Sequence, residues 1–221
     1  MKKYKAFLFD LNGTMIDDMH YHINAWYKLL NGMGASITLE ETKQQCYGKN
    51  HELLERVFPA RFTEEEKQVI SIEKEKAYQE GFRPHLKLLN GLDQFLEKAY
   101  RGNIKMAIGS AAIMMNIDFV LEGLKLQKYF SVIVGADDVT KSKPHPETYL
   151  KCAAKLNIAP GDCLVFEDSP KGTEAALNAG MDCVVITSMH RPEEFDPVNI
   201  IRFVPDFTGL FEHIKNISQT A

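Results

Sequence analysis

The sequence predicts an α/β fold, a doubly wound parallel sheet with an all-helical domain inserted after its first strand. Short apolar runs of strand length recur along the chain, amphipathic helical patterns lie between the later runs, and one long stretch near the N-terminus shows only helical periodicity. Buried strands that alternate with helices are typical of a parallel sheet covered on both faces.

Five segments have the length and composition of buried strands. In chain order they end at Phe9, Ser110, Ala136, Asp168 and Thr187. Polar or turn-forming residues follow each segment, which is expected where a buried strand reaches the edge of its sheet.

Helical patterns lie between the later strand-like segments and cover residues 92–99, 111–124, 149–154 and 175–179. The last pattern is followed by Gly180, a residue common just after the end of a helix. This alternation indicates βα units, and such units place their strands in parallel.

Residues 16–83 contain no strand-like run. Within them, Glu64–Gly81 reads as one long charged helix, whose Glu-rich start suits the positive end of the helix dipole. We therefore assign residues 16–83 to a helical insert and residues 1–15 with 84–221 to an α/β core.

The composition of the 221 residues, 45% hydrophobic and 25% charged, is that of a globular protein. With 26 basic and 30 acidic residues, the chain has no positive excess with which to bind nucleic acid. No apolar run is long enough to span a membrane, and the four cysteines lack C-x-x-C spacing. We expect a cytoplasmic monomer without a nucleic-acid or membrane partner.

Chemically versatile residues follow four of the predicted strands. Asp10, Ser110 and Glu167-Asp168 end three of them, and Lys143 comes shortly after another. Ligands of doubly wound sheets bind at the carboxyl ends of the strands. Each residue alone could cap a helix or shape a turn, but that does not explain why all of them lie at strand ends. Carboxylates suit Mg²⁺, while a hydroxyl and an ammonium suit a phosphoryl group.

Four segments resemble, in order, the motifs of the haloacid dehalogenase superfamily: FDLNGT at residues 9–14, IGS at 108–110, KPHP at 143–146 and EDSPKG at 167–172. The helical insert resembles the first cap type of that superfamily. Its segment at residues 21–26, with Tyr-His followed by Ala-Trp, is similar to the β-phosphoglucomutase and sugar-phosphate phosphatase branch.

The resemblance implies a Mg²⁺-dependent phosphatase or phosphoglucomutase-like phosphotransferase. Its expected partner is a small phosphorylated metabolite, with a sugar phosphate as substrate. In this scheme Asp10 attacks phosphorus and becomes an aspartyl phosphate. Asp10, the backbone carbonyl of Asn12 and Asp168 hold Mg²⁺, with Glu167 close behind.

The resemblance also implies that Ser110 and Lys143 hold the oxygens of the transferring phosphoryl group. This scheme is physically coherent, because a phosphate dianion repels a carboxylate nucleophile unless a metal and a lysine neutralise it.

Five residues of the helical insert are candidates for substrate binding. His22 and Lys74 resemble polar cap residues of the mutase branch, with structural roles as the alternative. For Lys74 that alternative is a solvated surface lysine. Relatives that bind a second phosphate have Gly-x-x-Arg at the positions where this chain has Gly48, Lys49 and His51. Binding of a distal phosphate therefore depends on Lys49 or on a partly protonated His51.

The sequence departs from the phosphatase pattern at Asn12, where those relatives have an acid–base aspartate. An amide has no titratable proton near neutral pH, and loss of acid–base help costs about 10²–10⁴ in rate. Reduced activity, or a preference for activated phosphates, is therefore expected. The alternatives are a catalytically impaired phosphate-ligand binder, dehalogenase-type chemistry, or phosphonatase-type chemistry with Lys49 or Lys74 as a Schiff-base lysine. A phosphoacceptor receiver domain is disfavoured by the chain length and the helical insert.

Overall fold

A computed structural model describes residues 4–217 of the chain, which form two compact units. One unit contains the residues up to Asp17 and those from Lys87 onward, and the other is Asp18–Leu86. The helical unit begins two residues later and ends three residues later than the predicted insert at 16–83.

The unit Asp18–Leu86 is built from four helices: α1 Met19–Gly32, α2 Leu39–Gln45, α3 Asn50–Val57 and α4 Glu64–Phe82. The Thr63 side chain accepts a hydrogen bond from the Glu66 N–H and the Glu66 side chain accepts one from the Thr63 N–H, so a capping box starts α4 at the predicted residue. The helices enclose an apolar core that includes Trp26, Leu30, Leu53, Leu54 and Phe58.

The other unit contains six parallel strands in the order β3-β2-β1-β4-β5-β6. The strands are β1 Ala6–Phe9, β2 Lys105–Gly109, β3 Val132–Val134, β4 Cys163–Glu167, β5 Asp182–Ile186 and β6 Ile200–Val204. Its helices are α5 Leu92–Arg101, α6 Met114–Leu124, α7 Glu147–Leu156, α8 Pro170–Asn178 and α9 Leu210–Ile217. The prediction of a doubly wound α/β fold is confirmed.

Stacked aromatic rings hold the centre of the sheet. Phe9 on β1 stacks on Phe166 on β4, with ring centroids 4.7 Å apart and planes inclined by 10°. Phe95 and Phe207 pack against both rings. Phe9 and Phe166 are register partners, and the Asp10 N–H donates to the Phe166 carbonyl at 3.0 Å, so the residues that follow β1 and β4 emerge side by side.

Two details of the prediction are wrong. The sheet has a sixth strand, β6, which the sequence analysis missed because it is a half-buried edge strand interrupted by the exposed Arg202. The helix expected from Ala111 begins at Met114, since the Ser110 hydroxyl accepts the Ala112 N–H at 3.1 Å and shapes a turn there.

Among the described helices, none combines the length and the apolar character needed to cross a membrane.

Candidate active site

The central strands deliver four polar residues to one edge of the sheet. Asp10 follows β1, Ser110 follows β2, Glu167 ends β4, and Asp168 comes next. The sheet order places β1 between β2 and β4, so these strand ends are neighbours. All four residues are buried.

Lys143 reaches this edge from the loop before α7. Its Nζ lies 2.8 Å from Asp10 Oδ1 and 2.6 Å from Glu167 Oε1, and it donates to the Gly109 carbonyl at 3.1 Å. The Tyr149 hydroxyl on α7 lies 2.9 Å from the same nitrogen. The predicted lysine is therefore fixed between the predicted nucleophile and a predicted acidic residue.

Both carboxylate oxygens of Glu167 are engaged by donors of the chain itself. Oε1 accepts from Lys143 and from the Tyr149 hydroxyl at 2.7 Å. Oε2 accepts from the Asp168 and Ser169 N–H groups at 3.0 and 3.1 Å and from the Ser169 hydroxyl at 3.0 Å. This pattern orients Glu167 toward Lys143 and the start of α8.

Neighbouring residues leave little free space around the Asp168 carboxylate. Thr14 Oγ1 donates to its Oδ1 at 3.2 Å. A side chain at Gly13, which has φ +74°, would collide with the Asp168 carboxylate, so only glycine fits there. Ser169, and not Asp168, caps α8 by accepting the Gly172 N–H at 3.1 Å. The helix-cap explanation of Asp168 is therefore wrong.

Burial and the charges of neighbouring groups determine the pKa shifts in this cluster. Burial raises the pKa of Asp10 to about 6, with the Glu167 charge adding to the shift and Lys143 opposing it. Burial, then Glu167 and Asp10, raise the pKa of Asp168 well above its ordinary value. Burial would also raise the pKa of Glu167, but the Lys143 charge and hydrogen bonds from Lys143 and Tyr149 lower it. Burial would lower the pKa of Lys143, but Asp10 and Glu167 raise it.

The donor set fits a divalent cation. Asp10, Glu167 and Asp168 each offer an oxygen, and these atoms lie within 4.8 Å of one another. Three carboxylates face one ammonium, so the fully ionised cluster carries an excess negative charge of two that Mg²⁺ would cancel. Carboxylate oxygen is also the donor type that Mg²⁺ prefers.

Ser110 and Asn12 flank this cluster along the chain. Ser110 is 1% exposed, and its N–H donates to the Val134 carbonyl at 3.0 Å. Its hydroxyl accepts from Ala112 and retains a proton to donate. Asn12 is half-buried in the turn that follows Asp10, where Gly13 N–H donates to the Ile16 carbonyl at 2.9 Å.

The helical unit holds a second buried polar cluster. Lys74 Nζ lies 2.8 Å from His22 Nδ1 and 2.7 Å from Glu75 Oε1. His22 Nε2 lies 3.4 Å from Asp18 Oδ2, which accepts the Tyr78 hydroxyl at 2.5 Å. His22 also stacks on the Tyr78 ring, with centroids 3.6 Å apart. Lys74 is 2% exposed, so its interpretation as a solvated surface lysine is wrong.

The other predicted residues of this unit lie around the start of α3. Gly48 has φ +72°, and the Lys49 N–H donates to Glu52 Oε2 at 2.8 Å. His51 is held between Glu64, 2.9 Å from its Nδ1, and Gln68. The predicted residues of the helical unit thus fall into two groups.

Several residues of these clusters were missed by the sequence analysis. Tyr149 and Thr14 contact the acidic cluster through hydroxyls, and Glu75 pairs with Lys74. Tyr149 had been interpreted only as an apolar residue of a helix. Thr14 lies within the FDLNGT motif, which could have pointed to it, whereas no local signal marks Tyr149 or Glu75.

Comparison with known proteins supports the resemblance seen in the motifs. The profile of the haloacid dehalogenase-like hydrolases matches residues 7–186. The chain is 30% identical over 188 residues to the β-phosphoglucomutase of Bacillus subtilis, covering 81% of this chain and 82% of that protein. It is 28% identical over 183 residues to a fructose-1-phosphate phosphatase of Escherichia coli, covering 83% and 96%.

A crystal structure of β-phosphoglucomutase from Clostridium difficile has the same fold, with a TM-score of 0.85, 29% identity and 96% of both chains covered. Both the family profile and these relatives extend over most of the chain. The protein is therefore an enzyme of the haloacid dehalogenase-like hydrolase family.

Proposed function

We propose that this enzyme is a Mg²⁺-dependent phosphatase or phosphotransferase that acts on a small phosphorylated metabolite, a sugar phosphate, through an aspartyl phosphate at Asp10. The observation that carries the proposal is the buried Asp10 carboxylate, which is bonded to Lys143 and lies within a cluster of three acidic side chains. The sugar-phosphate enzymes among its relatives support the substrate class.

Asp10 is the nucleophile, and Lys143 prepares it for attack. The ammonium holds Asp10 Oδ1 at 2.8 Å, which orients the carboxylate and offsets its repulsion of a phosphate dianion. An Asp10 oxygen bonds to phosphorus as the bond from phosphorus to the leaving oxygen breaks. The Ser110 hydroxyl donates a hydrogen bond to a phosphoryl oxygen. Because Asn12 cannot supply a proton, activated leaving groups are favoured.

Asp10, Asp168 and the backbone carbonyl of Asn12 would hold Mg²⁺, which when bound supplies the positive charge that lets a phosphate dianion approach a carboxylate. Glu167 would lie behind these ligands and not bind Mg²⁺ directly, because its oxygens already accept hydrogen bonds from Lys143, Tyr149 and the start of α8. Its role is to hold Lys143 in place.

In this proposal the helical unit, which resembles a cap, contributes to the choice of substrate. His22 and Lys74 from its buried cluster, and Gly48, Lys49 and His51 at the start of α3, are its substrate-binding candidates.

The structure disfavours phosphonatase-type chemistry at Lys74. A Schiff base needs a lysine nitrogen that is free to attack a carbonyl carbon, whereas the Lys74 nitrogen is ion-paired with Glu75 and contacts His22. A phosphate-ligand binder without turnover is a second candidate, and the observation behind it is the amide at Asn12.

The test is phosphate release from a panel of phosphorylated metabolites, with Mg²⁺ and with a chelator, for the parent and Asn12→Asp. We expect Mg²⁺-dependent turnover, with sugar phosphates among the best substrates. Acid-quenched samples should contain a peptide phosphorylated at Asp10, detected by mass spectrometry. Tight binding of sugar phosphates without turnover in either protein would instead establish a binder.

A further inference from the structure

Three Asn-Gly dipeptides occur in the chain, at residues 12–13, 31–32 and 90–91. Asparagine followed by glycine is chemically labile, because glycine has no side chain to keep its backbone nitrogen away from the asparagine side chain. Closure of a ring between the two residues needs an N–H that can lose its proton, a side-chain amide that can turn and a backbone that can bend. The structure places the three dipeptides in different surroundings.

The turn after β1 protects Asn12. The Gly13 N–H donates to the Ile16 carbonyl at 2.9 Å, and Gly13 is buried. Gly13 also packs so closely against the Asp168 carboxylate that an added Cβ would collide with it. Ring closure at Asn12 therefore requires that this turn open first.

The end of α1 protects Asn31. Its Nδ2 donates to the Tyr27 carbonyl at 3.0 Å and to the Ile37 carbonyl at 2.9 Å, and its Oδ1 accepts the Ile37 N–H at 2.9 Å. Asn31 and Gly32 both belong to the helix, so their backbone is not free to bend toward the side chain. These hydrogen bonds and the end of the helix must break before the amide can react.

The third dipeptide lies in a turn before α5. Asn90 is exposed, and its Nδ2 donates to Asp206 Oδ2 at 3.3 Å. Among the residues that the structure describes, no other group bonds to this amide and none accepts from the Gly91 N–H. The side chain and the N–H that must react are therefore held less firmly here than in the other two dipeptides.

We propose that Asn90 is a modification site, at which spontaneous deamidation yields a less stable form of the chain. The Gly91 nitrogen loses its proton to base and bonds to Asn90 Cγ. The bond from Cγ to Nδ2 breaks, and the side-chain nitrogen takes up a proton and leaves as ammonia. Water then opens the succinimide ring at either carbonyl and yields aspartate or isoaspartate. The reaction consumes water alone and involves no group of the candidate active site.

The product disturbs contacts between this turn and the segment before α9. A carboxylate in place of the Asn90 amide faces the Asp206 carboxylate and cannot donate the hydrogen bond that the amide donated. Isoaspartate adds a backbone atom next to Gly91, which lies so close to Phe207 and Thr208 that a Cβ would collide with their backbone. The Asn90 carbonyl also accepts the Phe207 N–H at 3.0 Å, and Phe207 belongs to the aromatic cluster of the sheet. Deamidation therefore loosens a contact that reaches the core of this unit.

The first measurement is the rate of deamidation at the three dipeptides in one sample of the full chain. Folded protein is incubated in mildly alkaline buffer, and peptide mass spectrometry follows the conversion of Asn12, Asn31 and Asn90 with time. Asn90 should convert about tenfold faster than the other two or more, because its reaction alone needs no local opening. In urea the three rates should become similar, since unfolding removes the protection. A rate at Asn12 or Asn31 in the folded protein that equals the rate at Asn90 would overturn the proposal.

The second measurement is thermal unfolding of the same samples. The Tm of the parent should fall during the incubation, whereas Asn90→Gln should keep its Tm, because glutamine must close a larger ring and deamidates slowly. Asn90→Asp, which copies the aspartate product, should start about 1–4 °C below the parent. Asn90→Asp combined with Asp206→Asn restores one donor and one acceptor to this contact and should recover most of that loss. An equal fall in Tm for the parent and Asn90→Gln, or a Tm of Asn90→Asp equal to that of the parent, would refute the loss of stability.

Discussion

Replacement of Asp168 by asparagine should have opposite effects on stability in the absence and in the presence of Mg²⁺. The asparagine oxygen can still accept the hydrogen bond from Thr14, so the change removes a charge with little loss of packing. Without metal, the variant should be more stable than the parent near neutral pH, because one of three crowded carboxylates is gone. With saturating Mg²⁺, the parent should gain stability that the variant does not.

The size of the first effect follows from the geometry. Ligand oxygens of Asp168, Asp10 and Glu167 lie within 4.8 Å of one another. Two unit charges at that separation repel by about 3.5 kcal/mol at an effective dielectric constant near 20, and Lys143 offsets part of this. We therefore expect a gain of about 1–3 kcal/mol, which corresponds to a rise in Tm of about 2–12 °C for a chain of this size.

The pH dependence follows from the raised pKa of Asp168. Below the pKa of the unfolded chain, about 3.9, the carboxyl is protonated in both states and costs no stability. As pH rises toward the folded-state pKa the cost grows, and above that value it is complete. The advantage of Asp168→Asn in chelator should therefore be present at pH 7 and vanish toward pH 4.

Thermal unfolding followed by circular dichroism, in chelator and in Mg²⁺ at several pH values, measures these effects. Asp137→Asn, at an exposed site of the same unit, is the matched control and should behave like the parent. The reasoning is refuted if Mg²⁺ raises the Tm of the parent and of Asp168→Asn equally, or if the variant is less stable than the parent in chelator at pH 7.

Three further substitutions test the assigned roles. Asp10→Asn should abolish turnover while far-ultraviolet circular dichroism stays unchanged, and parental activity would disprove the nucleophile. In steady-state assays, Asn12→Asp should speed hydrolysis of alkyl phosphates by about 10²-fold or more, with a smaller gain for aryl phosphates. An equal rate on alkyl esters would show that Asn12 does not replace an acid–base group. Tyr149→Phe removes the hydrogen bonds with Lys143 and Glu167, so urea unfolding should show that the free energy of unfolding falls by about 1–3 kcal/mol. The value of kcat should fall more than KM changes, and an unchanged kcat would limit Tyr149 to a packing role.

Much of the candidate active site could be predicted from the sequence because it depends on local pattern. Apolar runs that end in Asp10, Ser110 and Glu167-Asp168 mark the carboxyl ends of buried strands, and parallel strands bring those ends to one edge. Lys143 was a candidate because it comes shortly after a predicted strand, and the order of the motifs then gave it a role. The edge strand β6 was missed, since exposure leaves an edge strand free of the apolar pattern that marks a buried one.

Only the tertiary structure shows which of these groups touch and which charges cancel. Lys143 meets Asp10 across 133 positions of sequence, and the Tyr149 hydroxyl joins them because α7 packs beside β2 and β3. Lys74 and Glu75 are adjacent in a helix that the sequence predicts to be charged, yet both turn inward to His22 and Asn50. Residue type and spacing determine which groups a chain can offer, whereas packing between distant segments determines their burial and partners. The charge balance of a buried cluster depends on burial and partners, so it had to be obtained from the folded structure.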